Sequence, residues 1–257
     1  MGKLDDKVAV VTGGNSGLGL ATAKLFAQEG ATVVITGRRE DALTQAAHTI
    51  GHRAHPFRAD TTRLVDLEAL RCHIESEYGR LDILFANAGI APASPLGSVT
   101  EEMFDRIVAT NFKGTFFTVQ TLLPLVNDGA SLILCSSIAA LRGVPGMSVY
   151  AATKSAIALL SQSFALELKD RRIRVNALLP GVVVTPLTEH AGMSKEEDEA
   201  HYDRTASATP LGRNGHPTEV AAAALFLASA DSGFNRRTIA RRWWDAGLST
   251  GLVTLSV

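Results

Sequence analysis

A chain of 257 residues with 46% hydrophobic and 20% charged residues has the composition of an ordinary globular protein, long enough for one large α/β domain. A formal net charge of −1 offers no global field to draw it to nucleic acid or anionic lipid, and its apolar stretches are broken by Pro, Gly or charge well short of the about 20 residues that span a bilayer. The opening Met1-Gly-Lys-Leu-Asp-Asp-Lys7 leads into a strand rather than a signal peptide's apolar run, and the two cysteines, Cys72 and Cys135, lack metal-ligand spacing and read as small buried hydrophobes, so a reducing cytoplasm is the expected compartment.

Along the chain, apolar runs of strand length alternate with longer amphipathic segments. Val8–Val11, Thr32–Thr36, Ala54–Phe57, Ile83–Ala86, Ser131–Cys135 and Arg174–Leu179 predict strands, with helical patterns between them. This is the βαβ signature of a single α/β domain: a doubly wound, Rossmann-type parallel sheet with helices on both faces. Gly30, Gly51, Gly79 and Gly129 each follow a helical segment and precede a strand, where a left-handed cap is wanted. The segment from Leu187 to His216 breaks the rhythm with Gly192, the acidic run Glu196–Glu199, Pro210 and Gly212. It reads as a substrate flap containing a short helix, with a purely structural surface excursion as the alternative. The seven histidines form no metal-ligand set: His48, His52 and His55 cross a helix end and a strand start and read as surface residues.

Three motifs carry chemistry. Gly13, Gly17 and Gly19, in Thr12-Gly-Gly-Asn-Ser-Gly-Leu-Gly19, lie between the first strand and a helix opening near Leu18, which lets the backbone approach a pyrophosphate at a helix N-terminus. Tyr150 and Lys154, in Tyr150-Ala-Ala-Thr-Lys154, sit one turn apart on one face if residues 148 to 169 are helical. An unperturbed tyrosine, with a pKa of about 10, is a poor proton shuttle near neutrality, and a nearby cation lowers it. Ser137 stands thirteen residues before the tyrosine.

Together these motifs, in this order and spacing, resemble the short-chain dehydrogenase/reductase family over about residues 4 to 234. The resemblance implies a catalytic set of Asn111, Ser137, Tyr150 and Lys154. Asn111 would help organise a water-linked proton relay, Ser137 would orient the substrate oxygen, Tyr150 would act as general acid/base, and Lys154 would hold the nicotinamide ribose. Cofactor contacts are implied for Gly13, Asn15, Ser16, Gly17, Leu18 and Gly19 in the turn, for Asp60 beside the adenine, and for Asn87, Ala88 and Gly89. Further contacts would come from Tyr150 and Lys154 themselves and from Pro180, Gly181, Val183 and Thr185 around the nicotinamide. The expected activity is hydride transfer between a nicotinamide cofactor and a small-molecule carbonyl or secondary alcohol, in a homotetramer with no nucleic-acid or membrane partner. The alternative is a non-catalytic dinucleotide-binding sensor or interaction protein of the same fold. Val144, Met147, Leu187 and the flap around Met193 suggest an apolar substrate pocket.

The end of the second strand bears on the choice of cofactor. A carboxylate there accepts from the ribose 2′-hydroxyl of NAD, whereas an arginine can bind the 2′-phosphate of NADP. The chain reads Ile35-Thr-Gly-Arg-Arg39, with Gly37 where an NAD-preferring relative carries Asp, and Arg38 after it. NADP(H) is therefore favoured, with NAD(H) possible; the rival reading is that Arg38 and Arg39 merely begin a solvated helix whose Glu40 and Asp41 offset them.

Past residue 234 the pattern fails. The family resemblance leads one to expect Thr-Gly, four residues and Val-Asp-Gly-Gly, forming a last strand; the chain reads Asn235-Arg-Arg-Thr-Ile-Ala-Arg-Arg-Trp-Trp-Asp245 and continues to Val257. Because Trp has one codon, Trp243-Trp244-Asp245 read one base further along gives Gly-Gly. In that frame free third bases allow Asn235 to become Thr, Arg236 Gly, Arg241 Val and Arg242 Asp. Residues 235 to 257 thus read as an atypical, frameshifted tail that costs the domain its last strand and leaves an open sheet edge. A lipid- or nucleic-acid-binding Arg/Trp appendage is the rival.

Overall fold

The computed structural model describes residues 2–185, 194–234 and 239–241. Seven strands form one parallel sheet: β1 (Val8–Thr12), β2 (Thr32–Gly37), β3 (Ala54–Arg58), β4 (Leu81–Ala86), β5 (Val126–Cys135), β6 (Arg174–Leu179) and β7 (Ile239–Arg241). Their order is β3-β2-β1-β4-β5-β6-β7, and every neighbouring pair is parallel. The helices are α1 (Gly17–Gln28), α2 (Glu40–Ile50), α3 (Leu64–Tyr78), α4 (Glu101–Ile107), α5 (Gly114–Leu122), α6 (Ser148–Glu167), α7 (Lys195–Ser207) and α8 (Pro217–Ala228).

Side-chain alternation sorts each central strand between two cores. Ala9, Val11, Val33 and Ile35 face Phe26 of α1, Leu43 of α2 and Ala224 of α8. Val8, Val10, Val34 and Leu84 face Leu70 and Ile74 of α3, Leu122 of α5 and Ile157 of α6. With both faces covered, β1, β4 and β6 are buried at every position and are mostly apolar, with Thr12, Asp82, Arg174 and Asn176 as buried polar exceptions.

Three expectations need correcting. Gly129 does not cap a helix: with φ +78° it lies inside β5, where the pairing with β4 slips between Leu81 and Ile83, because the strand begins five residues earlier than its apolar run. Cys72 is exposed on α3, its Sγ near Glu68 and Arg71, while Cys135 is buried. The edge at β6 is not bare, since Ala177, Leu178 and Leu179 pair with Ile239, Ala240 and Arg241. Parallel pairing is made by backbone groups, which an Ile-Ala-Arg sequence supplies as well as any other. The remainder of the tail lies outside the described residues.

Candidate active site

All strand carboxyl ends share one rim, and the connections diverge to opposite faces between β1 and β4, which opens a crevice there. The glycine-rich turn occupies it. Gly13 (φ +65°) and Gly17 (φ +52°) adopt backbone that L side chains avoid, and a Cβ at Gly19 would overlap the Gly13 carbonyl, so α1 begins hard against the turn. Ser16 caps α1 without bonding it through its side chain, and no acid occupies the first helical turn. The leading N–H groups of α1, beside half-buried Asn15, Ser16 and Leu18, are therefore left to accept an anion. Asn87 holds the turn from the side: its Nδ2 donates to the Thr12 carbonyl at 3.0 Å, and the N–H groups of Asn87 and Ala88 donate to Thr12 Oγ1 at 2.9 and 3.0 Å.

At the end of β2, Gly37 lies where a Cβ would stand 2.6 Å from Asn15 Oδ1, so the Asn15 side chain fills the space of the missing one. Arg38 and Arg39 are exposed. Arg58 of β3, paired with Gly37 of β2, donates from Nε to the Arg38 carbonyl at 3.2 Å. Glu40 and Asp41 lie in the first turn of α2, but among the described residues none of these three arginines has a carboxylate within ion-pair distance. Asp60, after β3, accepts at Oδ1 from the N–H and Oγ1 of Thr62, at 2.9 and 2.8 Å, which fixes the turn ahead of α3.

The reacting groups gather beyond β4 and β5. Tyr150 lies in the first turn of α6, and Lys154 one turn later is 5% exposed, its Nζ 5.7 Å from the Tyr150 ring centroid. That ammonium donates to the Cys135 carbonyl at 2.8 Å, and Nζ lies 3.4 Å from where a side chain on Gly89 would begin. One of its three donors is thus engaged, and the ammonium adjoins the open space beside Gly89, a buried cation that calls for further polar ligands. Burial pushes the Cys135 thiol above its ordinary pKa, and the Lys154 charge offsets only part of that. Ser137 sits just past β5 with extended backbone; its Oγ accepts from the Ala139 N–H at 3.2 Å, leaving the hydroxyl proton to donate outward.

Asn111 is turned inward by a π-helical segment, Val108–Lys113, that joins α4 to α5. Its Oδ1 accepts from the Ile90 N–H at 2.8 Å, and its Nδ2 donates to the Ile90 carbonyl at 2.9 Å and to Thr153 Oγ1 at 3.3 Å. With its amide engaged in this way, Asn111 ties the loop after β4 to the residue preceding Lys154.

The segment after β6 closes the rim. Pro180 is buried and its carbonyl accepts from the Ile138 N–H at 3.0 Å; Gly181 follows. Val183 pairs with Gly215 in an isolated bridge made by the Val182 carbonyl and the Val184 N–H. That leaves Val183's own N–H and C=O on the opposite side. Thr185 stands over the glycine turn, its Cβ 3.4 Å from where a Cβ on Gly17 would be.

A cleft beside Tyr150 is lined by Pro92, Val99, Met103, Ile107 and Met147. Of the residues expected in an apolar pocket, Met147 lines it and Val144 does not, while Leu187 and Met193 lie outside the described residues. Sequence reasoning missed Val99, Met103 and Ile107. Their signal was there: Thr100 followed by Glu101 and Glu102 marks a helix start, and Thr100 Oγ1 accepts from the Met103 N–H at 3.2 Å, with Met103 and Ile107 four apart on one face.

The family model described as enoyl-(acyl carrier protein) reductase matches residues 13–247. An oxidoreductase, asL5, of Sarocladium schorii is 43% identical over 234 residues, 90% of this chain and 92% of the relative. The NADP-dependent (R)-specific alcohol dehydrogenase of Lentilactobacillus kefiri is 36% identical over 90% of this chain and 93% of its own. A crystal structure of a short-chain glucose/ribitol dehydrogenase from Brucella melitensis superposes with a TM-score of 0.86 at 31% identity, covering 93% of this chain and 96% of that one.

Proposed function

The chain belongs to the short-chain dehydrogenase/reductase family and is a nicotinamide-dependent oxidoreductase of CH–OH groups; from that premise we propose that it prefers NADP(H) and that Tyr150, Lys154 and Ser137 carry the chemistry. The observation that supports this most is the buried Lys154 ammonium, beside Tyr150 and with donors to spare. The site fits the cofactor: glycines at 13, 17 and 19 leave room a Cβ would fill, and the uncapped start of α1 suits a pyrophosphate. When bound, the nicotinamide gives or takes the hydride.

This chain's residues do the rest. Ser137 donates a hydrogen bond from its hydroxyl to the substrate oxygen, keeping its own proton, and so stabilises the negative charge that develops there. Tyr150 passes its phenolic proton to that oxygen in reduction and takes one from the alcohol in oxidation. Lys154, held by the Cys135 carbonyl, stabilises the phenolate by its positive charge and offers its remaining donors to ribose hydroxyls. Asn111 is a positioning residue that fixes α6 through Thr153. The Val183 N–H and C=O suit a carboxamide, which needs one acceptor and one donor. Asp60, at the end of β3, lies on the adenine side of the crevice in this reading. The apolar cleft at Met103, Ile107 and Met147 favours a substrate whose carbonyl adjoins hydrocarbon. Exposed Leu159 and Leu166, seven apart on α6, support assembly between copies of the chain.

For cofactor choice, three arginines that have no carboxylate within ion-pair distance among the described residues adjoin Gly37, two by sequence and Arg58 by strand pairing, and Asn15 takes up the space a side chain there would need. We expect tighter binding of NADPH than NADH by fluorescence titration. Gly37→Asp should reverse the order, since the new carboxylate repels the 2′-phosphate and accepts from a 2′-hydroxyl; equal affinities in the parent chain would refute the preference. Tyr150→Phe should cut turnover by about 10³-fold or more while leaving NADPH binding within about twofold, the loss expected of a removed general acid. Retained turnover would remove Tyr150 from the mechanism.

A further inference from the structure

Helix α7 reaches the segment beside the glycine-rich turn through Tyr202. The Tyr202 hydroxyl accepts from the Thr185 N–H and donates to the Thr185 carbonyl, both at 3.2 Å, so a single phenol grips both backbone groups of one residue. Thr185 in turn lies against the glycine-rich turn, with Cβ and Cγ2 3.4 and 3.5 Å from where a Cβ on Gly17 would stand. A continuous line of contact therefore runs from α7 through Tyr202 and Thr185 to the turn. The same stretch of α7 is fastened on a second side: Asn214 donates from Nδ2 to the Tyr202 carbonyl at 2.7 Å, and its Oδ1 accepts from Thr205 Oγ1 at 2.9 Å. The loop holding Asn214 is itself clipped to the Thr185 segment, with the Val184 N–H bonded to the Gly215 carbonyl at 3.2 Å and the Gly215 N–H to the Val182 carbonyl at 2.9 Å.

We infer that Tyr202 is a positioning residue that latches Thr185 over the pyrophosphate turn and thereby sets how fast the dinucleotide leaves. The inference rests on the cofactor reading above. Polar latches suit this task because water can replace each bond when the latch opens, so opening costs little, whereas an apolar seam would have to expose its surface. A dinucleotide seated along the glycine-rich turn beside Thr185 is hemmed in until Thr185 moves, and Thr185 cannot swing away while its N–H and C=O are both held.

The test is stopped-flow release of NADPH from the full chain and from Tyr202→Phe, together with equilibrium binding of adenosine 2′,5′-bisphosphate, which carries the adenine half and no nicotinamide. Loss of both phenol bonds should raise the NADPH dissociation rate by about five- to thirtyfold, with the bisphosphate affinity unchanged within about twofold. Asn214→Ala, which releases α7 without touching Thr185, should raise the same rate by a smaller factor, and it keeps the test open should Tyr202→Phe fold poorly. An unchanged dissociation rate in both variants overturns the latch alone. Equal weakening of both ligands assigns Tyr202 a merely structural role and also overturns it. A parent chain that binds neither ligand overturns the cofactor reading and the latch together.

Discussion

Helices α6 and α7 flank the same crevice and are held by opposite means. The inner face of α6 buries Thr153, Lys154, Ile157, Ala158, Ser161, Phe164 and Ala165, and Ile157 has no exposed surface. Helix α7, Lys-Glu-Glu-Asp-Glu-Ala-His-Tyr-Asp-Arg-Thr-Ala-Ser, has no apolar stripe to bury. Its order comes from its own start, a capping box in which the Glu197 N–H donates to Ser194 Oγ and the Ser194 N–H to Glu197 Oε2, and from hydrogen bonds at Tyr202 and Thr205. Tyr150 and Lys154, the residues proposed to carry the chemistry, ride on the packed helix. The helix proposed to govern cofactor release is fastened by bonds that water can substitute. Rigidity and release are thus separated into two elements rather than compromised in one.

The sharpest way to break this contrast is to weaken α6. Ile157→Ala removes a fully buried side chain from the core shared with Leu84, Leu132 and Val175, and should cost about 2 to 5 kcal/mol, or roughly 5 to 15 °C in Tm. Because Tyr150 and Lys154 lie on the same helix, turnover should fall as well, even at temperatures where the protein stays folded. A drop in Tm below about 2 °C would mean that α6 is not the anchored element.

The tail is a second place to intervene, and its effect should be smaller because only one sheet edge is involved. Codons 235 to 244 should encode Thr-Gly, four residues and Val-Asp-Gly-Gly when read one base further along, and the chain restored to that frame should melt at a higher temperature than the present one. A nucleotide sequence without that motif would end the frameshift reading. The strand Ile239–Arg241 is compatible with either outcome, since the register beside β6 depends on the backbone and the expected motif would put its own strand at the same positions.

Sequence made the sheet legible because parallel strands buried on both faces are mostly apolar: Arg174–Leu179 was delimited to the residue even though it carries the buried Arg174 and Asn176, and the other strands begin or end within five residues of their apolar runs. The turn was legible because only glycine tolerates the backbone at 13 and 17. Tyr150 and Lys154 were legible because a helical period puts them on one face. What escaped reading depends on contacts between distant segments. That Lys154 spends one donor on the Cys135 carbonyl, that the Asn111 amide is taken up by Ile90 and Thr153, and that Arg58 reaches Arg38 all follow from tertiary placement that no local pattern encodes. The flap helix was foreseen in kind, as a short helix between residues 187 and 216, but its fastening through Tyr202 and Asn214 was not, because hydrogen bonds across 9 to 17 residues leave no periodic trace.

The smallest effect tests the other half of the contrast. Asn214→Ala deletes the bonds to Tyr202 and Thr205 on a partly buried surface, and bonds of that kind contribute about 1 kcal/mol net. Since α7 adds little to the packed core, the global Tm should move by no more than about 2 °C. Local opening is a different quantity. Arg204 lies in the last turn of α7 and is exposed, but trypsin needs an extended backbone, so cleavage there reports the population in which the helix has come undone. Asn214→Ala should speed that cleavage about fivefold while cleavage elsewhere stays near its parent rate, and bound NADPH should slow it in both proteins by holding Thr185 in place. If instead Asn214→Ala lowers Tm as far as Ile157→Ala does, α7 unfolds with the core, and release of the cofactor has to be sought in some other moving part.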